Sequence, residues 1–428
     1  MRDAWWQVIS RARWFGGKGL EAGVSAITPG PWYTPVGVLP AVRSEIAEIA
    51  YADGRSELYH LLVGYREPGT GSSAVVSRST VGEREVEVVD APTDPDCMRA
   101  LLEALTSSDQ AMEWSDRAAV DAQAPTKVWA GEQSNTTVCL GDDRLFKIFR
   151  KVDVGRNLDV EVLAALNGSG ITPWVYGTLT GELPSGGRAD LGMFVERVSG
   201  VTDGWEWACE ACAENRSIAV EAAELGRSLR EVHLRLAQAF GTGNIAGEEL
   251  SATMLRRLQS AAAQVVELRE VEDSLKLSFG ALAGLHLTSQ RVHGDFHLGQ
   301  TLRSADGWTI IDFEGEPLKT LAERREFDSV WRDVAGMLRS FDYVRGAHPD
   351  PTSQQALAWC AEARQGFLNG YGEGLTLDPN LLAAYETDKA IYEVVYEVRN
   401  RPDWVHIPLR AVHDEARRVA MHPARPTR

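Results

Sequence analysis

The sequence predicts an α+β protein with a strand-rich first part and a helical second part. Two observations carry that reading. Up to about residue 200, short apolar runs such as "AEIAYA", "ELYHLLVGYR" and "RLFKIFR" are separated by turn residues such as "PGPWYTPVG", "DG" and "PGTGSS". Beyond Gly200, apolar residues recur at helical spacing. At 428 residues the chain is also long for one domain, against a prior of about 150 residues per domain.

Taken in order, 1–90 reads as a small α/β cap domain, a helix at its start and then strands. "APTDPD" (91–96) carries two prolines, which resist helix, and reads as a hinge. "CMRALLEALTSS" reads as a helix. "TKVWA", "TTVCLG" and "RLFKIFR" follow as strands, "DVEVLAALNGSG" as a helix ended by glycine, and "LGMFVERVSG" as one more strand. These place a second strand-rich domain over 91–198. In "LGRSLREVHLRLAQAF", Leu225, Leu229, Val232, Leu236 and Phe240 mark a core-facing stripe. "LAAYETDKAIYEVVYEVRN" is a second long helix, within a helical domain over 199–428.

The bulk numbers exclude several classes. Hydrophobic residues make up 44% and charged residues 25%, an ordinary globular balance. The net charge of −17, with no run of bases, argues against nucleic acid or an anionic membrane as partner, because phosphate binding needs clustered Lys and Arg. Five scattered cysteines make no disulfide framework. Cys209 and Cys212 form a C-x-x-C without a second ligand pair nearby, so they read as helix cysteines rather than a zinc site. "MRDAWWQVISRARWFGGKG" has no signal-peptide core, and no run of about 20 apolar residues occurs. A cytoplasmic protein, monomer or dimer, is expected.

Chemistry-bearing residues gather in "RVHGDFHLGQ" (291–300) and "WTIIDFEGEP" (308–317). Phosphoryl transfer from a nucleotide needs an acid to orient and deprotonate the acceptor hydroxyl, oxygen ligands for Mg2+, and a cation on the phosphates. Asp295, in an irregular loop five residues before Gln300, suits the base. Gln300 offers an amide oxygen, and Asp312 a carboxylate where the run "WTII" ends; Mg2+ takes such oxygens. The two segments read as a strand pair that gathers these side chains at one end. Singly, Asp295 would be a turn acid and Asp312 a helix cap. With the flanking histidines, the glycines and the spacing, the chemical reading is preferred.

Upstream, Lys147 is flanked by Leu145, Phe146, Ile148 and Phe149, where a lysine is costly to bury unless paired. Glu161, early in the next helix, is the expected partner and Asp159 the rival. An edge-strand lysine reaching solvent is the plainer alternative. The polar turn "GEQSNT" holds Ser134, Asn135 and Thr136, whose amides and hydroxyls could cradle phosphates. Neither this turn nor "GGKG" (16–19) is a Walker A motif.

"HGDFHLGQ" with "IDFEGEP" resembles the catalytic loop and metal motif of aminoglycoside phosphotransferase-like kinases, in which Asn usually stands at the Gln300 position. More narrowly, "RWFGGKG", "GEQSNTTV", "TDGWE", "HGDFHLGQTLR", "DFEGEP", "RDVAGMLRSFDY" and "YEVVYEVRNRPDW" look like the actinobacterial maltokinases and the related glucosamine kinases, over 13–404. The resemblance implies a bilobal protein-kinase-like fold, with a strand-rich N-lobe and a helical C-lobe, preceded by the cap. It implies ATP and Mg2+ as cofactors, Asp295 as base, Gln300 and Asp312 as Mg2+ ligands, and Lys147 on the ATP phosphates. It sets adenine against 194–198, with Glu196 and Val198 as contacts. Gln300 itself, and Glu314 where protein kinases have glycine, depart from the wider pattern, but the narrower family shares both.

The acceptor is expected in the helical part, beside Asp295 and His297. Glu393 and Glu397 stand at i and i+4, a like-charge pair costing roughly 0.2–0.5 kcal/mol that a cationic ligand would remove. Trp404 offers an aromatic face, and Arg339 and Asp342 complete the set. The plainer alternative pairs the glutamates with Lys389 or Arg401 and packs Trp404 on the helix end. Two acids and one aromatic suit an amino sugar better than a disaccharide. Conversion of D-glucosamine to glucosamine 6-phosphate is therefore expected ahead of conversion of maltose to maltose 1-phosphate. The reading from another class, a pseudokinase that only binds nucleotide or sugar, has no need of Lys147, Asp295, Gln300 and Asp312 together.

Overall fold

A computed structural model describes residues 1–35, 37–71, 73–131, 134–316, 319–373 and 378–421. The chain forms two compact units, Met1–Asn167 with Pro173–Ser199, and Gly168–Thr172 with Gly200–Arg428.

The first unit opens with helix α1 (Arg2–Ile9) and the strands β1 (Ala22–Trp32), β2 (Ala41–Tyr51), β3 (Ser56–Arg66), β4 (Val75–Val81) and β5 (Arg84–Asp90). They pair as an antiparallel sheet in the order β1-β2-β3-β5-β4. Alternate residues of β2 and β3, such as Ala47 and Ile49, Leu61 and Val63, point to one face and bury Trp5 and Ile9 of α1. "APTDPD" is not the open hinge expected of it. It forms a 3-10 turn (Ala91–Thr93) and the start of helix α2 (Pro95–Ser107). Pro95 occupies the first helical position, where its missing N–H would be unpaired anyway. Buried Asp94 caps the amides of Asp96 and Cys97 and pairs with Arg66 at 2.6 Å.

The second sheet holds β6 (Met112–Trp114), β7 (Thr126–Val128), β8 (Thr136–Leu140), β9 (Arg144–Ile148), β10 (Val175–Glu182) and β11 (Arg188–Glu196), with helix α3 (Leu158–Leu166) after β9 in the chain. Its order is β6-β10-β11-β9-β8-β7, again antiparallel. Main chain joins the two sheets: His60 N–H donates to Arg150 O at 2.7 Å, and Val152 N–H to Leu58 O at 3.0 Å.

The second unit contains β12 (Thr202–Asp203), α4 (Gly204–Ala213), α5 (Ala219–Phe240), β13 (Thr242–Ala246), α6 (Gly247–Gln264), α7 (Val266–Arg269) and α8 (Glu272–Gly280). It continues with β14 (His286–Gln290), β15 (Thr301–Ser304), β16 (Gly307–Ile310), α9 (Leu321–Arg325), α10 (Trp331–Ala347), α11 (Gln354–Tyr371), α12 (Pro379–Asn400) and α13 (His406–Met421). The stripe on α5 is buried at Leu225, Leu229, Val232 and Leu236, and half-buried at Phe240. Cys209 and Cys212 lie on α4 as free thiols. Leu258 of α6, Phe279 of α8, Ile391 and Val394 of α12 and Val412 of α13 share one core. The strand pair expected around the acidic motifs is the hairpin β15–β16, with Thr301 opposite Ile310. The small pair β13–β14 was not foreseen. Among the described residues no helix is long and apolar enough to cross a membrane.

Candidate active site

In the first unit, Lys147 lies on β9, which is flanked by β11 and β8, so its strand is interior rather than an edge. Its Nζ donates to Asp159 Oδ2 at 2.8 Å, and Asp159 is almost fully buried. The rival partner therefore makes this ion pair. Asp159 sits in the first turn of α3, where Asn157 caps its amide at 2.9 Å and aims its carboxylate at the strand. Glu161, the partner ranked first from sequence, is half-buried in the same turn.

Of the turn "GEQSNT", Glu132 and Gln133 lie outside the described residues. Ser134 is exposed and accepts from Asn135 Nδ2 at 3.3 Å. Asn135 Oδ1 accepts from the Arg150 amide at 3.3 Å, and the Thr136 hydroxyl from Arg150 Nε at 2.7 Å. Those two side chains thus brace Arg150. Glu196 accepts from the Trp174 amide at 3.1 Å, and Val198 is half-buried just past β11.

In the second unit, the loop after β14 is held from behind by α10. Asp333, fully buried in the first turn of α10, accepts from His293 N–H at 2.7 Å and Gly294 N–H at 2.8 Å. His233 of α5 bonds the same carboxylate at 2.9 Å, and its other ring nitrogen meets the Tyr371 hydroxyl at 2.9 Å. Burial works to raise the Asp333 carboxyl, but the His233 contact and the amide donors outweigh it and hold it below the usual range. One turn further along α10, Gly336 lets the loop lie against the helix: a Cβ there would stand 2.5 Å from Phe296 O. At Ser340 the hydroxyl accepts from Leu298 N–H at 3.1 Å.

The loop so fixed presents Asp295. Its Oδ1 is 3.1 Å from Lys389 Nζ of α12, and its Oδ2 is 4.0 Å from His297 Nε2. Gly299 N–H donates to His297 Nδ1 at 3.1 Å, which assigns the ring proton to Nε2, on the Asp295 side. Gln300 ends a 3-10 turn (Leu298–Gln300), and its carbonyl accepts from Ile311 N–H at 3.0 Å. His293 Nε2 bonds Ile311 O at 3.0 Å. The backbones bearing Gln300 and Asp312 are thereby adjacent.

Asp312 has φ +65°, a left-handed conformation costing on the order of 1–3 kcal/mol in a non-glycine residue. Amide and carboxylate oxygens are the donors a hard divalent cation prefers, and a strained backbone of this kind is kept where one side chain must point one way. The pair fits Mg2+.

Around Asp295 lies a cluster of charges. Lys389 Nζ is also 3.1 Å from Glu316 Oε1, and Glu316 further meets Lys319 at 3.5 Å and Arg332 at 3.6 Å. Burial would raise the Glu316 carboxyl, yet Lys389, Arg332 and Lys319 bring it down to about 2. Arg339, fully buried, bridges Glu393 at 2.9 Å and Asp342 at 2.7 Å; Arg364 joins Asp342 at 3.4 Å and Glu386 at 2.8 Å. Burial dominates at Glu393 and raises its carboxyl despite Arg339 and Lys389.

The acceptor set expected from sequence needs a correction. Glu397 is buried and already accepts from Arg401 at 2.6 Å and from the Tyr343 hydroxyl at 3.0 Å. Arg339 and Arg401 have thus removed the repulsion that a ligand was expected to relieve. Trp404 stacks on Tyr343 at 6.1 Å between centroids, near Trp205 at 6.4 Å and under Arg401 at 5.3 Å. Glu393, Asp342 and Asp295 remain partly exposed, and the His297 side chain is 43% exposed. Sequence reasoning missed Asp333, His233 and Glu316, and considered Lys389 only as a partner for glutamates.

Residues 126–379 match the phosphotransferase enzyme family (APH), a span of more than half the chain. The chain belongs to that family. The matched span contains Lys147, Asp159, Asp295, Gln300, Asp312 and Asp333, and stops before Lys389 and Glu393. Among curated relatives of this chain, a glucosamine kinase of Streptacidiphilus jiangxiensis is 30% identical over 281 residues, 58% of this chain. The match spans 62% of that relative's own length. A glucosamine kinase of Mycolicibacterium smegmatis is 24% identical over 315 residues, 66% of this chain and 78% of the relative. A solved glucosamine kinase in complex with glucosamine, ADP and inorganic phosphate aligns with a TM-score of 0.69 at 22% identity, covering 96% of this chain and 98% of that one. At that identity the likeness speaks for the fold, a kinase-like α+β fold with a strand-rich N-terminal region and a helical C-terminal region.

Proposed function

We propose that this phosphotransferase moves the terminal phosphoryl group of ATP to the 6-hydroxyl of D-glucosamine. The observation that carries the reading is the state of Asp295. It is partly open, held by one oxygen on Lys389, and set in a loop whose amides Asp333 locks. Asp295 takes the proton of the acceptor hydroxyl through Oδ2, and His297 lies beside it on the same side. Lys147, kept in place by Asp159, binds phosphate oxygens, with Ser134, Asn135 and Thr136 lining the turn, Glu161 close in sequence to Asp159, and Glu196 and Val198 set against adenine. Gln300 and Asp312 would hold Mg2+, which supplies charge neutralisation on the phosphates. In this reading 1–90 is a cap, 91–198 the nucleotide-binding part and 199–428 the acceptor part, working in the cytoplasm.

The charge balance and the named relatives support an amino sugar. Asp295, Asp342, Glu386 and Glu393 face three cations, Lys389, Arg339 and Arg364. Burial raises the carboxyls of both Glu393 and Glu386 despite these cations, and an ammonium group placed beside Glu393 would stabilise its charged form. The two curated relatives described above carry the name glucosamine kinase. The test is ADP release with Mg2+·ATP against glucosamine, glucose and maltose. A highest kcat/KM with glucosamine is expected; a clear preference for maltose, or ADP release that no sugar stimulates, overturns the reading.

A further inference from the structure

Lys389 comes from the middle of α12, 94 residues after Asp295, yet its Nζ stands 3.1 Å from both Asp295 Oδ1 and Glu316 Oε1. The two acids belong to different loops. Asp295 lies on the loop after β14, and Glu316 on the loop after β16, four residues past Asp312. The lysine side chain is 16% exposed and lies 5.0 Å from the Tyr392 ring, so little solvent reaches the pair to screen it. Glu316 is itself gripped by Lys319 and Arg332, and Arg332 by Asp328. The lysine is therefore braced on a fixed carboxylate and cannot swing freely.

We propose that Lys389 is a positioning residue for phosphoryl transfer, tying the Asp295 loop to the Asp312 loop and holding Asp295 by Oδ1 so that Oδ2 faces the acceptor hydroxyl. The proposal rests on the reading of Asp295 as the base. A carboxylate on a loop can rotate about its last bond. An ion pair to one oxygen stops that rotation, and a reacting group misplaced by about 1 Å loses about 100-fold in rate.

A double-mutant cycle tests this in the full chain with Mg2+·ATP and glucosamine. Lys389→Met is expected to lower kcat about 100-fold while the KM for ATP stays within about twofold, and Lys389→Arg to recover most of the loss. With Asp295→Asn already present, Lys389→Met is expected to change the residual kcat by less than about threefold, because no base remains to be oriented. Melting temperatures report whether each variant is folded. Should Lys389→Met not fold, Glu316→Gln, which keeps the size of the brace, is put through the same two backgrounds and read in the same way. Equal losses in both backgrounds overturn the proposal, as does a loss confined to KM. If Asp295→Asn leaves kcat intact, the base reading itself falls and takes the proposal with it; additive losses alongside a strongly slowed Asp295→Asn remove the proposal alone.

Discussion

In the proposed reaction Asp295 is the base, and its replacement gives the sharpest residue-level test. Asp295→Asn keeps the shape and a hydrogen-bond acceptor for Lys389 but cannot take a proton. It is expected to lower kcat by about 10²–10⁴-fold with ATP affinity nearly unchanged, measured by steady-state kinetics and by nucleotide binding. Two glutamates one helical turn apart should behave differently. Glu393 is partly exposed with a raised carboxyl, whereas Glu397 is saturated by Arg401 and Tyr343. Glu393→Gln is expected to weaken glucosamine more than glucose in kcat/KM. Glu397→Gln should lower the melting temperature and leave the ratio of the two sugars alone. Equal weakening of both sugars by Glu393→Gln would separate that carboxylate from the amine.

Glu316 adds a pH dependence whose sign is fixed. Its carboxyl falls from 4.5 to about 2 on folding, so the folded form holds its proton less tightly than the unfolded form. Its stabilisation is complete above about pH 4.5 and is lost as pH drops toward 2, an effect on the order of 3 kcal/mol for this buried group. Urea unfolding between pH 5 and 2.5 should show a shallower decline for Glu316→Gln than for the parent, and parallel curves would mean that the cations around Glu316 do not act on it.

At the scale of elements, α10 does the most for the site. One face carries Asp333, Gly336 and Ser340 against the loop that bears Asp295, and a neighbouring face carries Arg339 and Tyr343 toward α12 and Asp342 toward Arg364 of α11. In an exposed helix interior Ala would be favoured over Gly by about 1 kcal/mol. Here the added Cβ would press on Phe296 O, so Gly336→Ala is expected to lower both stability and kcat, seen in melting and turnover of the same preparation. A more stable Gly336→Ala with unchanged kcat would deny the close approach.

The sequence made α5 and α12 legible as helices and Asp295, Gln300 and Asp312 legible as a group, because each signal is local: an apolar period, a loop acid, the end of an apolar run. It could not show that Asp333 reaches back 40 residues to cap His293, or that Lys389 reaches back 94 to Asp295, since those meetings depend on which helices pack together. The same limit misjudged "APTDPD". Two prolines mark a break in helix, but only the packing of Asp94 on Arg66 distinguishes a helix start from a linker. If buried, Lys147 needed a partner, and that Asp159 lies 2.8 Å from its Nζ depends on how the first turn of α3 faces β9, which composition does not encode.

At the largest scale, the first unit is bound together more tightly than two consecutive sheets need be. β3 bonds the segment after β9 through Leu58 and His60, and Arg150, fully buried in that segment, joins Asp90 at the end of the first sheet to the Thr136 hydroxyl at the start of β8. Its guanidinium also lies 5.0 Å from the Trp14 ring. Contacts of this kind make neighbouring elements open together in one cooperative step. Core amides of β3 and of β9 are therefore expected to show the same opening free energy in native-state hydrogen exchange. Arg150→Met takes the cation from Asp90 and the donors from Thr136 and His60 O while keeping much of the apolar stem. Breaking a buried ion pair from one side costs about 3–5 kcal/mol, so the variant should lose about that much stability in urea unfolding. It should also let the first sheet exchange faster than the second. Opening energies that already differ widely in the parent protein would mean that the two sheets unfold separately, whatever Arg150 contributes.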